Sequence, residues 1–183
     1  MLDEAQIIVR CKKNDKRAQK DLYDHYAPVL LGLAMRYVYD KAEAEDILQE
    51  AFLKIFIKIK QYSGKGSFEG WMKRIVINTA IGNFRKNNKH YHHHDIVDIN
   101  ETEIENYVIY DADFTKEELY SVIRSLPEGY RMVFNLYAIE GYKHKEIAEM
   151  LSVDITTSKS QFSRARKLIQ KKLFELSKEK VTA

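Results

Sequence analysis

The sequence predicts an all-α protein with two helical domains joined by a flexible acidic linker. Apolar residues recur at three- and four-residue spacing along two long stretches, and the pattern is lost between them. The 183 residues include only 7 Gly and 2 Pro, which favours long helices over frequent turns. These patterns place the first domain at 1–90, the linker at 91–114 and the second domain at 115–183.

The first domain is predicted to be a helical bundle. Apolar faces at 7–11 and 18–37 come first, and Asp40 then marks a helix start. The helix after Asp40 carries an apolar stripe so wide that other helices must surround it. Its members are Ala44, Ile47, Leu48, Ala51, Phe52, Ile55, Phe56 and Ile59. Residues 62–67 break the spacing as a loop, and a further helix follows at 68–86.

The second domain begins at Thr115, which forms a predicted capping box with Glu118. Short helices follow, and a final helix is expected from about Thr156 to Ser177. Residues 144–172 have the pattern of a DNA-binding helix-turn-helix, although Ser152 and Ser158 replace its usual Gly and aliphatic residue. The last helix has an apolar underside of Phe162, Ala165, Leu168 and Ile169. Its predicted outer face carries Thr157, Lys159, Ser160, Ser163, Arg164 and Lys167.

Charge is distributed in a basic, acidic, basic order. Nine Lys and Arg against one acid lie at 54–89, nine acids against one Lys at 95–118, and six Lys and Arg without an acid at 159–172. Two clusters of positive charge suit a polyanion such as nucleic acid, although basic helical faces are also common as plain solvated surface.

Other features exclude several classes of protein. The single Cys11 forms no internal disulfide and is expected to be a small buried apolar residue. The chain shows no signal peptide or membrane span, so we expect a cytoplasmic protein without membrane insertion. The histidines at 90–94 favour a polar linker over a physiological metal site. No pairing of nucleophile and base is visible, so we expect no enzyme, no metal and no cofactor.

Residues 46–53 are similar to a motif of the sigma-70 family, in particular of its small extracytoplasmic-function group. Over nearly the whole chain, motifs of this family occur in the expected order. The resemblance implies that these residues lie on a helix that docks on RNA polymerase. The implied polymerase-binding residues are Asp46, Gln49, Glu50 and Leu53. Asp46 and Glu50 are four residues apart, so their carboxylates share one helix face.

Residues 67–80 resemble the element of the same family that melts and reads the −10 promoter box. In family members, a flipped base enters a pocket formed by the preceding loop and an asparagine. The resemblance assigns those roles to residues 62–67 and Asn78, with a stacking face on Tyr62. Phe68 and Trp71 are favoured as core anchors. The implied −10 DNA-binding residues are Tyr62, Ser63, Lys73, Arg74, Asn78, Arg85 and Lys86.

The second domain resembles the family's reader of the −35 element, and the acidic linker resembles the segment that threads near the polymerase cleft. The implied −35 DNA-binding residues are Thr157, Lys159, Ser160, Gln161, Ser163, Arg164 and Lys167. Gln161 stands where the family often has Arg. The resemblance implies a sigma factor that directs promoter-specific initiation, with core RNA polymerase and promoter DNA as partners and an anti-sigma factor as a further possible one.

Two other functions are compatible with parts of the pattern. One is a stand-alone helix-turn-helix regulator whose first domain senses a ligand or dimerises. The acidic face at 46–50 and the basic helix around Asn78 argue against it, because a sensor needs neither. The other is a helical protein–protein adaptor, which would show no salt-sensitive binding of nucleic acid.

Overall fold

The computed structural model describes residues 3–88 and 114–182, and the regular elements in these ranges are all helical. The chain divides into two compact units, Met1–Asn83 and Phe84–Ala183. The prediction of an all-α protein with two helical domains is confirmed. The domain bounds stay a prediction, because the linker and its histidines lie outside the described residues except for Phe114.

The first unit is built from helices that start on acidic caps. Its elements are α1 (Glu4–Lys12), α2 (Lys16–Ala34), α3 (Lys41–Lys58), a 3-10 turn (Ile59–Gln61) and α4 (Phe68–Asn88), of which the part up to Asn83 belongs to this unit. Asp3, Asp15 and Asp40 cap α1, α2 and α3, and each accepts a hydrogen bond from a backbone N–H of the first turn. These bonds satisfy donors that a helix start leaves without a partner, as the pattern at Asp40 predicts.

Packing in the first unit follows the predicted apolar faces. The predicted stripe of α3 is buried except for Phe56, which is half-buried. The hydroxyl of Tyr26 in α2 donates to the carboxylate of Glu4 in α1 over 2.7 Å. Burial and this carboxylate raise the pKa of Tyr26 well above its ordinary value. Cys11 is fully buried, as predicted, and burial raises the pKa of its thiol.

The second unit ends in one long helix. Its elements are α5 (Lys116–Arg124), α6 (Glu128–Phe134), a π-helical turn (Asn135–Ile139), α7 (His144–Leu151) and α8 (Ile155–Thr182). The predicted capping box of Thr115 and Glu118 is confirmed, with bonds of 3.2 and 2.8 Å. α8 extends beyond the predicted Ser177, and Lys180 in that extension forms a 2.8 Å ion pair with Glu118. Among the described residues, no helix has the length and apolar character needed to cross a membrane.

A compact core joins α8 to the shorter helices. Leu126, Tyr130 and Ala165 form its buried centre, and Phe134, Leu168 and Ile169 pack against it. Buried Arg131 donates from one guanidinium nitrogen to the carbonyls of Arg124 and Leu126, at 2.7 and 3.0 Å. These bonds satisfy carbonyls at the end of α5 and fix the start of α6. Because Ala165, Leu168 and Ile169 lie in this core, the apolar side predicted for α8 is the side that packs on the shorter helices.

Phe68→Ala should destabilise the first unit by about 3–5 kcal/mol, because it leaves a cavity at a fully packed aromatic ring. Phe68 is 1% exposed and contacts the rings of Tyr26, Tyr62 and Trp71. Urea unfolding followed by the fluorescence of Trp71, the only tryptophan, measures this loss. Phe114→Ala, in the second unit, is the control. An unchanged midpoint in Phe68→Ala would contradict the assigned anchor.

Candidate functional site

α3 presents one exposed face with both acidic and apolar side chains. Asp46 and Gln49 are exposed and Glu50 is half-buried, while Leu53 and Ile57 are 65% and 74% exposed. Spacings of three and four residues place all five on one side of the helix. The four predicted polymerase-binding residues therefore lie together. Ile57 was not among the predicted residues. Its position one turn beyond Leu53 indicates that it lies on the same face.

A chain of polar contacts joins this face to α4. Lys54 forms a 2.8 Å ion pair with Glu50, and its ammonium also donates to the hydroxyl oxygen of Thr79 over 3.2 Å. Thr79 is buried in α4 and donates to the carbonyl of Ile75 over 2.8 Å. The acidic face of α3 is thus held in a fixed position relative to the residues next to Asn78.

α4 is buried on almost every side. Within residues 72–84, Arg74 and Asn78 are the only exposed side chains, and they lie four residues apart on one face. Arg85, also exposed, continues this strip seven residues after Asn78, with half-buried Trp71 at its head. We call Arg74, Asn78 and Arg85 the α4 strip. It offers two guanidinium groups and one carboxamide, which can bind phosphates and a base edge respectively.

Two other predicted residues of α4 lie off the strip. Lys73 lies one residue before Arg74, about 100° around the helix from it, and forms an ion pair with Glu69 four residues earlier. Lys86 is exposed one residue after Arg85 and can still reach the same neighbourhood. The spacing of Lys73 and Asn78, five residues, already separates them around a helix, because side chains share a face only at three, four or seven residues.

Tyr62 corrects the prediction of a free stacking face. Its side chain is 8% exposed, and its ring packs against the stacked pair of Phe68 and Trp71, at centroid distances of 5.0 and 5.4 Å. Its hydroxyl donates to the carbonyl of Gly66 over 2.8 Å. The buried ring therefore presents no free face for stacking on a base. Aromatic side chains next to a helix start serve as anchors when neighbouring rings can pack on them.

The loop at 62–67 is held at both ends. Lys12 of α1 donates to the carbonyl of Tyr62 over 2.9 Å, and the hydroxyl of Ser67 accepts from the backbone of Gly70 over 3.1 Å. Gly64 and Gly66 have φ of 76° and 82°, which glycine adopts without strain. Ser63 is exposed between these fixed points. The loop therefore offers polar backbone and a hydroxyl group to a ligand.

α8 presents a stripe of hydroxyl groups at its start. Thr156, Ser160 and Ser163 are exposed and lie on one face, opposite buried Ser158 and Ala165. We call these three residues the α8 hydroxyl stripe. Cationic side chains flank it, with Lys159 and Arg166 exposed on one side and Arg164 and Lys167 half-buried. Thr157, also half-buried, lies at an edge of the stripe. Short polar groups between cations suit a helix that lies deep in a groove of duplex DNA.

Gln161 does not belong to this face. Its side-chain nitrogen packs against Gly129 of α6. A Cβ atom added to Gly129 would lie 3.0 Å from that nitrogen. The side chain is half-buried against α6 and turned away from the hydroxyl stripe, and its contact with DNA stays a prediction. Ile155 and Thr156 are also exposed at the start of α8 and were not among the predicted residues. Their position in the first turn, one turn before Ser160, was the signal for them.

The polar residue at position 158 is accommodated by a histidine. Ser158 is fully buried, and its hydroxyl lies 3.0 Å from Nδ1 of His144 at the start of α7. The imidazole stacks on Tyr137, with centroids 4.3 Å apart and planes at 14°. Burial, and then the charge of Lys159, lower the pKa of His144. A hydrogen bond therefore joins α7 to α8 where an apolar contact was expected.

The described residues contain no group of three or more His, Cys, Asp or Glu side chains that could hold a metal ion. The histidines at 90–94 lie outside those residues. The acidic groups on the α3 face suit a basic protein surface, and the cationic groups on α4 and α8 suit nucleic acid.

Both units match known families. Residues 22–90 match the family model described as Sigma-70 region 2, and residues 116–169 match the one described as Sigma-70, region 4. The RNA polymerase sigma-H factor of Pseudomonas aeruginosa is 30% identical over 96% of this chain and 96% of its own length. The ECF RNA polymerase sigma-E factor of Haemophilus influenzae is 28% identical over 94% and 96% respectively.

A solved structure with a similar chain is the sigma factor RpoE in complex with the anti-sigma factor NepR from Bartonella quintana. It has a TM-score of 0.49 and 22% sequence identity, and the match covers 84% of this chain and 97% of that one.

The stability of the second unit should fall as the pH drops below about 6.5, the ordinary pKa of histidine. The folded pKa of His144 is lowered, so the unfolded chain binds more protons in that range and is favoured by acid. Hydrogen exchange of the α8 amides at pH 7.5 and 5.5 measures the change. His144→Gln should show a smaller difference between the two pH values, and His25→Gln, in the first unit, should match the wild type. Equal differences in all three chains would contradict the assignment.

Proposed function

The chain belongs to the sigma-70 family of RNA polymerase sigma factors, in its extracytoplasmic-function group, and from this premise we propose which of its surfaces carry each task. As a sigma factor it binds core RNA polymerase and directs promoter-specific transcription initiation. We assign polymerase binding and −10 reading to residues 1–90 and −35 reading to residues 115–183. No catalytic step and no cofactor are assigned to the chain itself, which acts in the cytoplasm with the polymerase.

The α3 face is the proposed polymerase-binding surface. Leu53 and Ile57 are the most exposed apolar side chains of α3, and they continue the line of Asp46 and Gln49. Large apolar groups at the centre of a polar rim are the usual composition of a protein interface. The carboxylates select a basic partner surface and orient it.

The α4 strip carries the proposed reading and opening of the −10 element. The observation that supports this assignment most is the narrowness of the strip. The rest of the middle of α4 is covered, so Arg74 and Asn78 are its exposed groups. Asn78 can donate to and accept from one base edge. The loop at 62–67 would receive the flipped base through Ser63 and its backbone, in place of a stack on Tyr62.

The α8 hydroxyl stripe and its flanking cations are the proposed −35 reader. Lys159 and Arg166 suit phosphates, and Arg164 suits a guanine edge. Each module is small, so we expect weak binding of free protein to duplex DNA. Joining the modules on one polymerase raises their effective concentration at the promoter. The same exposed faces are where an anti-sigma factor would compete.

Asp46→Lys should weaken binding of core polymerase by about tenfold or more, because it reverses a charge at the proposed interface. Asp46 is preferred to Glu50 for this test, since Glu50 is linked to α4 through Lys54. Titration of labelled full-length protein with core polymerase measures the affinity. Glu149→Lys, the same charge change on exposed α7, should leave it unchanged. Equal effects of both variants on the affinity would contradict the assignment of polymerase binding to the α3 face.

Asn78→Ala should slow promoter opening by about tenfold or more while polymerase binding is retained, because one base loses its hydrogen-bond partner. Permanganate reactivity of promoter thymines in the reconstituted holoenzyme measures opening. The matched control is Asn87→Ala, an exposed asparagine half a turn away around the same helix. Tight promoter binding without polymerase would instead favour a stand-alone regulator, and no salt-sensitive DNA binding at all would favour an adaptor.

A further inference from the structure

The first turn of α8 exposes apolar groups where the helix is expected to meet DNA. Ile155, the first residue of the helix, is 44% exposed although it is a large apolar side chain. Thr156 follows it and is exposed as well. Neither contributes to the buried centre of the second unit, which α8 reaches through Ala165. Folding of this unit therefore leaves the two apolar groups in water.

The position of these groups limits what they can touch. Thr156 stands at the head of the hydroxyl stripe, four residues before Ser160 and seven before Ser163. Ile155 lies beside it, in line with Lys159 four residues later. The hydroxyl groups and the cation can meet polar base edges and phosphates, whereas a γ-methyl and an isoleucine side chain cannot form hydrogen bonds. In the major groove, the apolar group that base pairs present is the methyl of thymine.

We propose that Ile155 and Thr156 form an apolar first turn that reads the 5-methyl group of a thymine at one end of the −35 element. This inference rests on the proposed role of α8 as a reader of duplex DNA. It adds a base preference that no hydrogen bond supplies, because a thymine without its methyl group keeps the same donors and acceptors. The contact removes two apolar surfaces from water at once.

The test replaces each thymine of the −35 element, one at a time, by deoxyuridine, which lacks only the methyl group. The DNA is a duplex promoter fragment. The promoter is first identified by transcription of a genomic library with core polymerase and the full-length protein. Competition binding to the reconstituted holoenzyme gives relative affinities. One position should weaken binding by about fourfold, the effect expected when one methyl group is no longer buried.

Thr156→Ser is the sharpest variant, because it removes one methyl group and keeps the hydroxyl. It should weaken binding to the thymine fragment and reduce the sensitivity to deoxyuridine at that position. Ile155→Ala should reduce the same sensitivity. Thr115→Ser is the matched control: it removes a methyl group at the cap of α5, keeps the capping hydroxyl and should behave as wild type.

The outcomes separate this inference from the function on which it rests. Loss of −35 dependence in Arg164→Ala and Ser163→Ala, together with no effect of deoxyuridine at any position, would keep α8 as reader and overturn the methyl contact. Sensitivity that persists in both Thr156→Ser and Ile155→Ala would overturn it too, as would a −35 element without thymine. If the Arg164 and Ser163 variants retain full −35 dependence, the role of α8 itself is wrong.

Discussion

Burial of α4 on nearly all of its sides is the constraint on which the first unit depends. A helix surrounded in this way cannot rotate or shift without exposing apolar side chains, so the few residues left in solvent are held at fixed positions. Phe68 and Tyr62 fix its start through packed rings, and the contact of Lys54 with Thr79 fixes its middle against α3. The α4 strip is narrow because, within residues 72–84, the core covers most other directions of the helix.

In the second unit, a polar contact between helices has the role that apolar packing around α4 has in the first unit. α8 packs on its neighbours through Ala165 and the rings around it, and it extends far enough for Lys180 to pair with Glu118. At Ser158 the junction with α7 is a hydrogen bond to His144, itself held by a stack on Tyr137. A directional bond fixes the rotation of α8 more strictly than an aliphatic contact can, and this rotation decides which side chains of α8 are exposed.

Helix positions followed from the sequence because their causes are local. Apolar spacing, Asp40 and the pair of Thr115 and Glu118 act within one or two turns, so they can be read without knowledge of the fold. The side chains of Tyr62 and Gln161 could not be placed in this way. An aromatic ring or an amide suits both a ligand and a neighbouring helix, and the choice depends on residues that are close only after folding, such as Phe68, Trp71 and Gly129.

By itself the sequence determined the all-α class, the caps, the wide stripe of α3 and the motifs that assign the family. Only the tertiary structure decided which side of α4 remains in solvent, that Lys73 leaves the α4 strip, and that Ile155 and Thr156 stand at the exposed start of α8. The physical reason is the range of the interactions. Periodicity and capping involve neighbours along the chain, whereas exposure is set by what the rest of the unit covers.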